Sequence, residues 1–167
     1  MDEKGFLALV KETCGAEGVK AEKILAFFRF ENEKFNRDSE LTEYVKDMFD
    51  SFHYKSNMMQ WNGQFFIYTD EEADESMCEG ILNSLEFFST DFLSEHVLAE
   101  DKESIAEIKE TPYANEEIRQ KLEEAGIEDF MEDTLKLYGR GEFLASFDGK
   151  EHKEIVNGTE YFIYRID

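Results

Sequence analysis

His53, His96 and His152 stand singly, with no second His or Cys three or four positions away, so their spacing supports no zinc site. In "HKE" (152–154) strand alternation sets His152 and Glu154 on one face. That pair reads as a base with its orienter or, more simply, as a solvated cross-strand polar pair. "DEEADE" (70–75) lacks the alternation and central glycine of a calcium loop. It reads instead as carboxylates filling the first turns of a helix, with weak divalent binding left open. Gly139-Arg140-Gly141 offers either a mobile anion-binding corner or a helix C-cap and turn, with Arg140 or Arg165 paired to acids. No phosphate-loop, dinucleotide or hydrolase-elbow pattern occurs. Cys14 and Cys78 are isolated and read as buried free thiols. The expectation is no enzyme, no cofactor and no metal site.

The distribution of charge carries more information. The chain has 167 residues and a formal charge of −22. Such a field repels nucleic acid and anionic membrane and attracts basic surfaces. Residues 1–69 hold 12 acids and 9 bases, whereas 70–103 hold 12 acids and one base, so half of the net charge lies in a fifth of the chain. An even coat for solubility does not predict that skew. The candidate partner-binding face is accordingly Asp70, Glu71, Glu72, Asp74, Glu75, Glu79, Glu86, Asp91 and Glu95.

The elements that would position this face follow from periodicity. Sixteen Phe and seven Tyr supply ample core material for one domain, and a single proline suits a helix-rich fold. Residues 2–14, stopped by Gly15, and 19–35 read as helices. A third begins at Ser39 and buries Leu41, Tyr44, Val45, Met48, Phe49 and Phe52. Helices two and three are too far apart, and the third too acidic, for a DNA-reading helix-turn-helix.

Asn62-Gly63 predicts a hairpin with strands near 57–61 and 64–69. Thr69 or Asp70 then caps a helix whose buried face is Met77, Cys78, Ile81, Leu82, Leu85 and Phe88. Shorter helices follow: one from Ser89 or Thr90, one over "DKESIAEIKE", one from Asn115 to Ala125, and one with Phe130, Leu135 and Tyr138. From 142 to 167, Asp-Gly and Asn-Gly turns predict a three-stranded antiparallel meander.

Phe65 to Tyr68 and Tyr161 to Tyr164 are near-identical runs, apolar on both faces. This suits interior strands of one sheet, covered by helices on one side and by a partner on the other. The expected class is α+β, one domain: 1–55 helical, 57–69 hairpin, 70–138 acidic and helical, 142–167 meander.

The ending "GRGEFLASFDGKEHKEIVNGTEYFIYRID" resembles that of small acidic proteins of unknown function carried by phages and other mobile elements of gut bacteria. Their pattern reads G-R-G-x-x-L-A-S-Y/F-D-G-x-E-x-E and then N-G-T-x-Y-Y/F-I-Y-R. "YTDEEADE" (68–75) is also similar to that family. Together these strings cover about 40 residues and leave the first 55 uncovered; Phe147 and Asp167 stand where Tyr and Asn are commoner. The resemblance implies a mobile-element setting and transfers no catalytic residue.

Three expectations of function follow. The first is a polyanion mimic that binds a basic nucleic-acid-handling host protein, such as a restriction or CRISPR effector; −22 matches the charge of about 11 base pairs. The second is an adaptor acting through an aromatic surface or as a homodimer. The third is an enzyme built on His152 and carboxylates. All presuppose a cytoplasmic chain without direct nucleic-acid or membrane contact, since the start lacks a signal-peptide pattern and no stretch approaches about 20 apolar residues.

Overall fold

The computed structural model describes residues 2–31, 45–47, 49–50, 52–55, 58–61 and 64–167. Helix α1 (Glu3–Cys14) starts where the Asp2 carboxylate accepts the Gly5 N–H at 2.8 Å and stops at left-handed Gly15, as the capping residues dictate. Helix α2 (Gly18–Glu31) buries six residues, Ala21 and the unbroken run Lys23 to Phe27, so more than one side of it is covered. Residues 45–47 and 49–50 are helical and Val45 is buried; the Ser39 cap expected for this helix lies outside the described residues.

Five antiparallel strands follow: β1 (Phe52–Lys55), β2 (Met58–Trp61), β3 (Phe65–Thr69), and, at the C-terminal end, β4 (Glu151–Val156) and β5 (Thr159–Arg165). Their order is β1-β2-β3-β5-β4. The two near-identical aromatic runs are therefore direct neighbours, with Phe66 opposite Tyr164 and Tyr68 opposite Phe162. The Asn-Gly signal between β4 and β5 holds: Asn157 and Gly158 both take positive φ, as a type I′ turn requires. The Asn62-Gly63 turn lies outside the described residues.

Between β3 and β4 lies an all-helical stretch. It comprises α3 (Asp70–Leu82), a 3-10 turn Leu85–Phe87, α4 (Thr90–Ser94) and a 3-10 helix Ala99–Ser104. Next come α5 (Ile105–Lys109), α6 (Ala114–Ala125), α7 (Ile127–Leu137) and α8 (Arg140–Leu144). Thr69 caps α3 by accepting the Glu72 N–H at 3.2 Å, and Ser89 caps α4 by accepting the Phe92 N–H, both as expected.

The α+β class, the antiparallel sheet and the C-terminal hairpin agree with the sequence reading. Three details differ. Phe52, expected in the third helix, opens strand β1, whose register pairs Phe52 with Trp61 and Lys55 with Met58. The expected first strand of the meander is helix α8: Gly141, Leu144 and Ala145 are its buried residues, the i, i+3, i+4 spacing of a helix rather than the alternation of a strand. A Cβ on Gly141 would run into the Gly149 carbonyl oxygen, so the close approach of α8 to the loop before β4 requires glycine.

The third difference concerns what covers the sheet. One face carries α1 and α2: Phe6, Val10, Ile24 and Phe27 pack with Phe65, Ile67, Tyr161 and Ile163. The opposite face carries α3 to α8, where Met77, Ile81, Leu85, Ile118, Leu122 and Phe130 pack with Tyr68, Phe162 and Tyr164. The chain's own helices thus cover both faces of β3 and β5, where a partner had been expected on one. This is why these strands are apolar on both sides.

Candidate functional site

The nine expected partner-binding acids fall into three environments. Asp70, Glu71, Glu72, Asp74, Glu75 and Glu79 share α3. Glu71, Glu75 and Glu79 are exposed at i, i+4 and i+8, forming one stripe with carboxylates about one helical turn apart. The C-terminal half of this stripe borders a groove lined by Asp74, Glu75, Cys78, Glu79, Leu82, Asn83 and Arg119.

Asp70 and Asp74 are also on the surface, but both hold Arg140: its Nη1 donates to Asp70 at 2.7 Å and to Asp74 at 3.1 Å. Glu72 points inward, and both its oxygens accept from the Lys23 ammonium, at 2.6 and 3.0 Å. Glu86 lies in the 3-10 turn, and Asp91 and Glu95 lie on or just beyond α4, outside the α3 stripe.

Lys23 is fully buried, on α2 in the opposite helical layer. Burial lowers its pKa, and the Glu72 carboxylate opposes that shift. The pair joins the two layers beside Tyr161, the strand residue opposite Thr69, whose hydroxyl donates to Glu22 at 3.3 Å. Sequence reasoning missed Lys23. Its signal was position, since Lys23, Phe27 and Phe30 fall on one helical face.

Arg140 gathers four elements. Its Nε donates to Glu151 at 2.8 Å, its Nη1 reaches Asp70 and Asp74, and its guanidinium lies 4.2 Å from the centroid of the Phe162 ring. The Tyr164 hydroxyl also donates to Glu151, at 2.6 Å. Burial disfavours the charged guanidinium, but the hydrogen bonds it donates to Glu151 and Asp70 outweigh it and raise its pKa. Burial, reinforced by Glu151, likewise raises the Tyr164 phenol. The Arg140-to-acids reading of Gly-Arg-Gly thus describes this corner. Gly139, however, is extended and opens α8 rather than capping α7.

Of the histidines, His152 rests on the Phe30 ring of α2, with ring centroids 4.8 Å apart, and its side chain stays 38% exposed. Glu154, on the same side of β4, has its pKa raised by burial. His96 is nearly buried against Phe92 and Phe130. Its Nδ1 faces the Phe92 carbonyl oxygen at 2.9 Å and its Nε2 faces Asp133 at 2.8 Å. Two acceptors require two donors, so the ring is an imidazolium in this geometry. Burial opposes that charge, but the Phe92 carbonyl, Asp133 and the nearby Glu95 raise the pKa above the ordinary value.

The sign follows. A raised folded-state pKa adds stability below the ordinary histidine pKa and loses it as pH rises through the folded value. The wild type is expected to lose thermal stability relative to Asp133→Asn, in which the carboxylate is gone, as pH rises above the ordinary histidine value of about 6.5. Parallel melting curves check this; identical slopes for the two proteins would rule it out.

Both thiols are free and half-buried, and burial raises the pKa of Cys14 and Cys78 alike, which keeps them protonated and unreactive near neutral pH. Among the described residues no group of three or more His, Cys, Asp or Glu side chains is arranged to hold a metal ion, and no helix is long and apolar enough to cross a membrane. Sequence reasoning also did not locate a small aromatic pocket of about 200 Å³ lined by Ser84, Phe87, Phe88, Ser89, Tyr138 and Phe143. Of the three apolar residues named for the last expected helix, Phe130 is buried, whereas Leu135 and Tyr138 are exposed.

The fold converts the charge skew along the chain into a skew between layers. Residues 2–31, which include α1 and α2, hold 6 acids and 5 bases, net −1. Residues 70–144, which form the opposite layer, hold 23 acids and 6 bases, net −17. No protein-family model, curated protein or solved structure matches this chain.

Proposed function

We propose that this chain is a non-enzymatic polyanion mimic that binds a basic nucleic-acid-handling protein and occupies its nucleic-acid channel. The observation that carries the reading is the net −17 of residues 70–144 on one face of the sheet, set against −1 for helices α1 and α2 on the other. A solubility coat has no reason to respect the sheet as a boundary, whereas a surface built to be read as a phosphate array does.

The exposed stripe Glu71, Glu75, Glu79 adds regular spacing on a capped helix that Arg140 anchors to α8 and β4. Asp70, Asp74 and Glu72 serve that anchoring and the layer junction, so on α3 the recognising acids are Glu71, Glu75 and Glu79. The resemblance of the C-terminal strings to acidic mobile-element proteins supports a setting in which inhibiting a host nuclease or effector is useful.

The test is capture from bacterial lysate at about 50 mM and about 200 mM salt, with duplex DNA as competitor. The expected result is recovery of nucleic-acid-binding proteins at low salt, with release by DNA. A triple variant Glu71→Gln, Glu75→Gln, Glu79→Gln should slow association with the recovered protein about tenfold while keeping the wild-type melting temperature. Capture that is indifferent to salt and to DNA would overturn the proposal.

A further inference from the structure

Phe87 is 81% exposed, the largest exposure of any bulky apolar residue described. A fully exposed phenylalanine is informative where a partly exposed leucine is not, because folding leaves nearly all its apolar surface in water. It lines the mouth of the pocket between the 3-10 turn Leu85–Phe87 and the α7–α8 junction.

The other walls are aromatic and set at right angles. Tyr138 stands edge-on to Phe88, with centroids 5.9 Å apart and planes at 85°, and edge-on to Phe143, at 5.7 Å and 84°. Phe88 and Phe143 are nearly parallel, 6.3 Å apart. The small hydroxyl residues Ser84 and Ser89 complete the lining. At about 200 Å³ the pocket is below the roughly 300–1,000 Å³ of small-molecule sites and has the size of one side chain.

Charge decides which side chain. Aromatic rings attract cations to their faces, and every residue lining the pocket belongs to the layer that carries −17. Glu86 and Glu142 flank its aromatic walls in sequence, next to Phe87 and Phe143. Lys109, the base that reaches this turn, donates to the Phe88 carbonyl oxygen at 2.8 Å. Such a layer repels an acidic segment and concentrates a basic one.

We infer that this aromatic pocket takes an arginine side chain from the basic segment of the partner, so that Phe87, Tyr138 and Phe143 anchor a contact the acidic stripe steers. Arginine suits the pocket better than lysine because its planar, weakly hydrated guanidinium stacks on ring faces. The inference rests on the polyanion reading for its partner and adds the point of specific contact.

The experiment titrates the full-length protein with hexa-arginine, hexa-lysine and a neutral hexapeptide of Gly and Leu, following the aromatic proton resonances of Phe87, Tyr138 and Phe143 together with the affinity. Hexa-arginine is expected to shift those resonances and to bind several-fold more tightly than hexa-lysine, with the neutral peptide silent. Phe87→Ala should weaken hexa-arginine about five- to thirty-fold, and Phe87→Leu, which keeps the apolar bulk, should not restore it. Because Phe87 is outside the core, both variants keep the fold.

If Phe87→Ala binds hexa-arginine as the wild type does, the pocket is not the anchor, and the polyanion reading stands by itself. Restoration by Phe87→Leu, or binding of the neutral peptide, would replace the cation with an apolar side chain and overturn the inference. Failure of the wild type to bind either polycation at low salt would overturn both.

Discussion

Replacing Glu72 with alanine should destabilise the protein by about 3–5 kcal/mol, whereas Glu71→Ala, one residue away on the exposed face, should stay within about 0.5 kcal/mol. The two residues belong to the same acidic string, and composition cannot separate them. Their difference comes from Lys23, which is wholly excluded from solvent and faces both Glu72 oxygens.

Attraction between the two charges is offset by the desolvation of both, so the intact pair adds little net stability. Removing only the carboxylate takes the Glu72 counter-charge away from a buried ammonium, and the attraction that offset its desolvation goes with it. The asymmetry predicts a second result. Lys23→Met combined with Glu72→Leu should be neutral or more stable than wild type by about 1–4 kcal/mol, because an apolar pair avoids both desolvation costs. Urea denaturation of the three variants measures these values. Equal losses for Glu72→Ala and Glu71→Ala would show that Lys23 does not depend on Glu72.

The contrast between Glu71 and Glu72 also shows where reading a sequence stops. Periodicity located most elements because it reflects which side is buried. The near-identical runs at 65–68 and 161–164 were legible as interior strands because apolar residues on both faces have no other stable placement in a mixed fold. Their direct pairing needed the register, which no local pattern encodes. Helix α8 was misread because its buried positions begin with Gly141, which has no side chain to mark a stripe, and because Asp148-Gly149 suggested a hairpin.

Lys23 was invisible as a core residue for a related reason: lysine in a helix normally marks the solvent side, and its partner lies 49 residues away. Charge behaved differently again. Counting along the chain found the skew, but setting the −17 of residues 70–144 against the −1 of α1 and α2 depends on which helices cross to which side of the sheet.

Arg140→Ala is the second variant with a large expected effect, about 3 kcal/mol. The size follows from ranking its contacts by exposure. Arg140 is 15% exposed, but Asp70 and Asp74 are 65% and 62% exposed, so each of those ion pairs contributes under about 1 kcal/mol and is screened by salt. The larger contributions come from the less exposed side. The charge-assisted hydrogen bond to Glu151 is worth about 1.5–3 kcal/mol, and stacking on Phe162 adds about 1 kcal/mol. Without Arg140, Glu151 keeps the Tyr164 hydroxyl but faces Asp70 and Asp74 across a gap with no cation between them.

Arg140→Lys should recover about half of the loss, since an ammonium keeps the charge but lacks the fork that reaches several carboxylates and the plane that stacks on a ring. Asp70→Asn and Asp74→Asn should each cost under about 1 kcal/mol. A loss on Asp70→Asn as large as that on Arg140→Ala would refute this ranking. Raising the salt should shrink the penalty of Arg140→Ala, because part of it is repulsion among three carboxylates. The same variant reports on function. Arg140 ties the first turns of α3 to α8 and β4, so its loss should loosen the Glu71, Glu75, Glu79 stripe and weaken partner binding even though the protein becomes more negative. An even-coat model predicts no such weakening.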